Sequence, residues 1–137
     1  MARENEPMLR LSEDEAMLRG AWRLLRAALG HLAWSATDQI AWLGSDMHPD
    51  ELGLDYDHAY GVSWRPREAG WISGELPGLL EEVDRLIAEL TDEGANPWSA
   101  EGLRTHSTWQ RLRVLARRAL ARMPPTPWET TEQGSGV

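Results

Sequence analysis

The sequence predicts an all-α protein, an antiparallel three- or four-helix bundle with a long first helix and an irregular middle loop. Three observations predict it. Apolar residues recur at helical spacing in three long segments, strand-like alternation never persists for more than a few residues, and Gly- and Pro-rich stretches separate the segments. A chain of 137 residues at 42% hydrophobic supports one core, so residues 12–123 are read as a single helical domain. Residues 1–11 are read as an N-terminal arm and 124–137 as a polar, Gly-ended tail that Trp128 could dock.

The first helix is predicted to begin near Glu13, because Ser12 followed by Glu15 is a capping box and Glu13 and Asp14 suit a first turn. Leu18, Trp22, Leu25, Leu29, Leu32, Ala36, Ile40 and Leu43 then fall on one narrow face at about 100° per residue. Gly20 and Gly30 lie off that seam. A break between Ala33 and Asp38 is conceivable, but the unbroken seam favours one element. A short helix follows from a turn at 45–49, with Asp46 as its cap and Pro49 in its first turn, burying Leu52, Tyr56, Ala59 and Tyr60. Residues 61–74 read as a loop clamped to the core by Trp64 and Trp71. The third segment carries the seam Leu79, Val83, Leu86 and Leu90 among acids and stops at Gly94. Asn96 and Pro97 open the last helical unit, with Ser99 as a second cap. That helix buries Trp109, Leu112, Ala116, Ala119, Leu120 and Met123 and is stopped by Pro124 and Pro125.

Composition narrows the chemistry. The absence of cysteine removes disulfides, thiolate metal sites and cysteine nucleophiles, and fits a cytoplasmic protein. Neither a signal-peptide core nor a membrane-length apolar run is present, so no membrane partner is expected. The aromatic residues are eight Trp and two Tyr with no Phe, and all 14 basic residues are Arg, the mark of G+C-rich coding. Net charge is −8 and unevenly placed: residues 46–101 hold 14 acids against Arg65, Arg67 and Arg85, while 102–123 hold six Arg and no acid.

Three constellations compete for function. The acidic middle contains His48, Asp55 and His58, the ligands a metal would take if one bound there, but an EF-hand register fails at Tyr60 and Pro66, and neither HExxH nor paired Glu-x-x-His occurs. A solvated acidic turn is therefore the preferred reading, and no cofactor is expected. The serines lie outside any GxSxG elbow, the four histidines form no pattern, and phosphate-cradling glycine loops are missing. Arg104, Arg111, Arg118 and Arg122 form a stripe within about 40° on the last helix that suits a phosphate backbone. The overall acidity opposes nucleic acid, and pairing with the acid-rich neighbouring helix is the default. Trp64 and Trp71, with Asp50, Glu51, Asp55 and Asp57, are the candidate protein-interaction residues, since Trp anchors interfaces and the acids would steer a basic partner.

The runs LDYDHAY (54–60), LLEEVDRLIAEL (79–90) and NPWSAEGLRTHSTWQRLRVLARRAL (96–120) resemble a group of small all-helical actinobacterial proteins without an established activity. The resemblance covers about the last two-thirds of the chain and implies a bacterial cytosolic helical domain; it transfers no site. The leading expectation is a non-enzymatic helical interaction protein, an immunity- or antitoxin-like acidic neutraliser of a basic protein. The alternatives are a small-molecule- or metal-dependent enzyme with a Trp-lined pocket between helices, and nucleic-acid binding through the Arg-rich helix. A homodimer sharing the first seam is a further arrangement the seam permits.

Overall fold

The computed structural model describes residues 11–129, which form seven helices and no strand. The fold is all-α, as the periodicities require. The arm and tail expectations fall mostly on 1–10 and 130–137, outside the described residues.

Helix α1 (Glu13–Ala33) starts as predicted: the Ser12 hydroxyl accepts the Glu15 N–H at 3.1 Å. The reciprocal half of the capping box is replaced, because the Glu15 carboxylate takes the Arg19 Nε at 2.8 Å. The expectation of one unbroken first element is corrected. Trp34 turns extended, and Ser35 caps a separate helix α2 (Ala36–Leu43) by accepting the Asp38 N–H at 3.1 Å. A break leaves carbonyls at the end of α1 without partners. Gln39, wholly buried, satisfies two of them by donating its amide to His31 O and Leu32 O at 3.1 and 3.2 Å.

Helix α3 (Glu51–Gly61) buries Leu52, Tyr56 and Ala59. It begins later than the Asp46 cap implied, and its entry is shaped instead by His48, whose Nδ1 accepts the Asp50 N–H at 3.2 Å. The expected loop at 61–74 contains a short helix α4 (Trp64–Glu68), which tolerates Pro66 because a first turn needs no backbone donor there. Helix α5 (Leu76–Asp92) has Pro77 in its first turn and is followed by Gly94 at φ 96°, a conformation that favours glycine. The last unit is also divided, a second correction. Ser99 caps α6 (Ala100–Thr105), the chain becomes extended at His106, and α7 (Ser107–Leu120) follows. Gly102 is obligatory: a Cβ there would sit 2.3 Å from the Pro97 carbonyl oxygen.

Four helices close a ring, α1 against α7, α7 against α5, α5 against α3 and α3 against α1. Trp22, Leu25, Leu29 and Leu32 of the first seam have no exposed surface, so this chain covers the seam that a dimer would have shared. The Trp22 indole donates to Pro124 O at 2.8 Å and Arg26 Nε to Met123 O at 3.0 Å, fastening the segment after α7 onto α1. Trp128 continues the attachment, its ring tilted against Trp71 at 5.7 Å beneath the Arg19 and Arg23 guanidinium groups. No helix of the described residues is long and apolar enough to cross a membrane.

Candidate functional site: an acidic groove around Trp98

Glycine at position 53 creates the site. A Cβ there would come within 2.7 Å of the Trp98 ring, so the absent side chain lets this indole lie against the flank of α3. Trp98 meets Trp109 edge-on at 5.4 Å, and the Trp109 indole donates to Pro97 O at 2.9 Å, which pins the loop between α5 and α6 to the core. Trp98 thereby becomes one wall of two adjoining hollows.

The larger hollow, about 640 Å³, lies between α3 and α5. Leu54, Ile87, Ala88 and Trp98 give it an apolar floor, and Asp50, Asp57, Asp84 and Asp92 stand around it with His48. The smaller, about 310 Å³, lies on the other side of His48 and Trp98 against Ile40, Leu43, Met47 and Leu103. The two share His48 and Trp98, and each has one exposed apolar side chain at its edge, Leu54 on the larger and Met47 on the smaller. Among the described residues the only basic side chain lining either hollow is His48, whose Nδ1 is 3.0 Å from the Asp50 carboxylate. Partial burial, with the Asp57 charge beside it, raises the Asp84 carboxyl above its ordinary value. Tyr60 is raised as well, by burial and then by Asp84 and Glu81.

The predicted interaction residues separate. Asp50 and Asp57 line the groove, but Glu51 does not. Asp55 turns toward α1, where its carboxylate approaches His31 Nδ1 at 3.4 Å without hydrogen-bond geometry. The His31 ring lies between Trp34 and Trp42, with centroids 4.7 and 4.4 Å away. Trp64 is exposed, with the Arg65 guanidinium over its face, and does not clamp its loop. Trp71 does: it is half-buried and packs between Trp22 and Trp128.

His48, Asp55 and His58 are not brought together, and among the described residues no three His, Asp or Glu side chains converge in a metal-holding arrangement. The enzymatic alternative needed His48 and His58 at one pocket, yet only His48 lines the groove.

Most of the arginine stripe is paired within the chain. Arg111 reaches Glu82 at 3.9 Å, Arg118 reaches Glu75 at 3.6 Å, and Arg122 hydrogen-bonds Glu75 at 2.7 Å; Arg104 is exposed. Arg113, which the sequence did not single out, is buried, donating to Gln39 Oε1 at 2.9 Å and to Leu103 O at 2.5 Å. Sequence reasoning also missed Asp84, Asp92 and Trp98 as groove residues. The available signal was the position of Ile87 beside rather than on the α5 seam, which extends apolar surface toward α3.

Comparisons with family models, with curated proteins and with solved structures return no match to this chain.

Proposed function

We propose that the protein is a non-enzymatic, cytoplasmic binding protein that neutralises a basic protein by covering it with the face formed by α3, α5 and the loop carrying Trp98. The observation that carries this reading is the unequal treatment of charge: four aspartates ring an apolar floor where, among the described residues, His48 is the only base, while the arginines facing α5 already have carboxylate partners. Carboxylates in such a groove repel one another and become more favourable when a guanidinium or ammonium enters between them. The acidic field draws a basic partner in at long range, making association fast and salt-sensitive. The apolar floor then supplies the contact that holds the complex once water is expelled.

Tagged wild-type protein and an Asp57→Asn, Asp84→Asn, Asp92→Asn variant, each used as bait in lysate of the source cell, test the proposal. The wild type is expected to retain a protein of high isoelectric point at low salt and release it at moderate salt, and the variant to retain little. Equal recovery by the two baits, or a wild-type bait that retains no basic protein, overturns the reading.

A further inference from the structure

Arg19, Arg23 and Arg26 fall at i, i+4 and i+7 on α1 and so share one face. Although the chain carries a net charge of −8, Arg23 and Arg26 have no carboxylate partner among the described residues. They face the segment after α7 instead. Arg26 Nε anchors its start at Met123 O, 3.0 Å away, and the Trp22 indole donates to Pro124 O at 2.8 Å. The Arg19 and Arg23 guanidinium carbons stand 4.7 and 5.0 Å from the centre of the Trp128 ring, which adjoins Trp71 at 5.7 Å. Side chains of α1 and of the loop after α4 thus make a slot, and a carbonyl and an indole fill it. Pro124 and Pro125 have no N–H and cannot extend the α7 ladder. The turn within the segment is local: the Glu129 N–H donates to Thr126 O at 3.0 Å and the Thr126 hydroxyl to the Glu129 carboxylate at 2.7 Å. Lifting 124–129 from the slot leaves that turn and the ladders of α1 and α7 intact, which is the condition for a unit that opens by itself.

We propose that residues 124–129 are a detachable strap masking a slot on α1 for a segment of another protein, one that carries a tryptophan followed by an acidic residue. The strap displays the chemistry that fits. Its carbonyl serves the Trp22 N–H, its ring lies beneath two guanidinium groups and against Trp71, and Glu129 follows the ring in sequence. A guanidinium over an indole gains from the ring face and gains further when a carboxylate reaches its edge. Arg23 has the first contact in the closed state and lacks the second, so an outside segment whose acid reaches Arg23 improves on the strap. The strap in turn is held beside its slot at high effective concentration and excludes weaker segments. The slot takes an acid where the groove between α3 and α5 takes a base, so this inference stands apart from the function proposed above.

Two measurements on the full-length protein test it. In the wild type, exchange of the Trp22 indole proton is expected to be insensitive to low urea, because strap opening exposes little surface, while the Leu25 and Leu29 amides exchange faster as urea is added. A Trp22 proton that follows those amides opens only with the whole fold and overturns the strap. The second measurement titrates a capped Pro-Trp-Glu-Thr peptide, which copies 127–130, and its Pro-Trp-Gln-Thr counterpart into wild type and Trp128→Ala. The variant is expected to bind the Glu peptide about tenfold more tightly than wild type, with movement of the Trp71 indole signal, and to prefer it to the Gln peptide. Adding Arg23→Gln should abolish that preference. Equal affinity of variant and wild type shows that the slot is not masked. No binding to a folded variant, or binding that leaves Trp71 unmoved, removes the slot, and an unchanged Trp109 indole signal reports that the variant is folded. Should Trp128→Ala unfold the chain, excess Glu peptide added to wild type decides: it moves the Trp71 and Trp128 signals, or the proposal fails.

Discussion

The basic side of α7 and the acidic groove between α3 and α5 carry opposite charge next to the same helix, yet the chain treats them differently. On α7, Arg111, Arg118 and Arg122 find carboxylates on α5 or at its entrance, and Arg113 is compensated without any acid. Its guanidinium meets Gln39 Oε1, whose amide in turn serves the end of α1, and the Leu103 carbonyl near the end of α6, so neutral oxygens, one of them at the negative end of a helix, face the buried cation. Burial and the neighbouring Arg117 lower the Arg113 pKa from its usual value, but an arginine displaced this way remains charged. In the groove, burial and then the Asp57 charge raise the Asp84 carboxyl above its ordinary value, and among the described residues no arginine lines the cavity. Charge on α7 is paired within the fold, whereas in the groove burial and the neighbouring Asp57 disfavour the ionised form of Asp84.

The strongest way to break this comparison is Arg113→Ala. The substitution leaves Gln39 Oε1 and the Leu103 carbonyl buried without their donor and opens a void, a loss of about 3 kcal/mol. Urea denaturation should show it, and the melting temperature should fall by on the order of 10 °C. An unchanged midpoint would mean that the guanidinium is not what joins the ends of α1 and α6. Next in size is the contrast between two double variants titrated with a basic peptide at low salt. Asp57→Asn with Asp84→Asn should weaken binding about tenfold, whereas Arg111→Ala with Arg118→Ala should leave it within about twofold. Equal losses would erase the distinction between the two faces.

How much of this was legible in the sequence depends on how local its causes are. Ser12 and the Leu79 to Leu90 seam announced α1 and α5 because capping and periodicity act within a few residues. The division at Ser35 was harder, since the apolar phase of α1 carries across it. What stabilises the break is Gln39, a residue that reads as an ordinary polar position until the free carbonyls of His31 and Leu32 are seen beside it. The groove was least legible. Its aspartates were visible as an acidic stretch, but their common floor depends on Gly53 meeting Trp98, two residues joined only by tertiary packing. Asp55 and Asp57 are two positions apart and therefore point to different faces of α3, one toward His31 and the other into the groove, which composition cannot separate.

A smaller effect of opposite sign sharpens the comparison. Because the folded-state pKa of Asp84 is raised, the fold disfavours its charged form. The penalty is absent below the unfolded-state pKa, grows as pH rises through the folded value, and is fully present at neutral pH. Asp84→Asn should therefore stabilise the free protein slightly at neutral pH and raise its melting temperature. The gain should vanish in acid. A neutral-pH loss would show that Asp84 has a stabilising role in the free protein.

The smallest effect belongs to Glu75, the counterpart on the satisfied side. Arg122 hydrogen-bonds to it and lowers its carboxyl below the ordinary range, with Arg118 adding to the attraction. For a depressed acid the sign reverses: the contribution is present above the unfolded-state pKa and is lost as pH falls through the folded value. Glu75→Gln should lower the melting temperature slightly at neutral pH and low salt, less than Asp84→Asn raises it, because an exposed ion pair is screened and gains little over hydrated ions. Added salt should remove the difference, as should acid. The two carboxylates would thus give pH–stability curves of opposite slope within one protein, Glu75 supporting the fold as it ionises and Asp84 opposing it. Thermal melts of both variants across the acidic range measure this directly. Parallel curves would show that the groove is as well compensated as the basic face, and would remove the physical reason for a cationic segment to bind there.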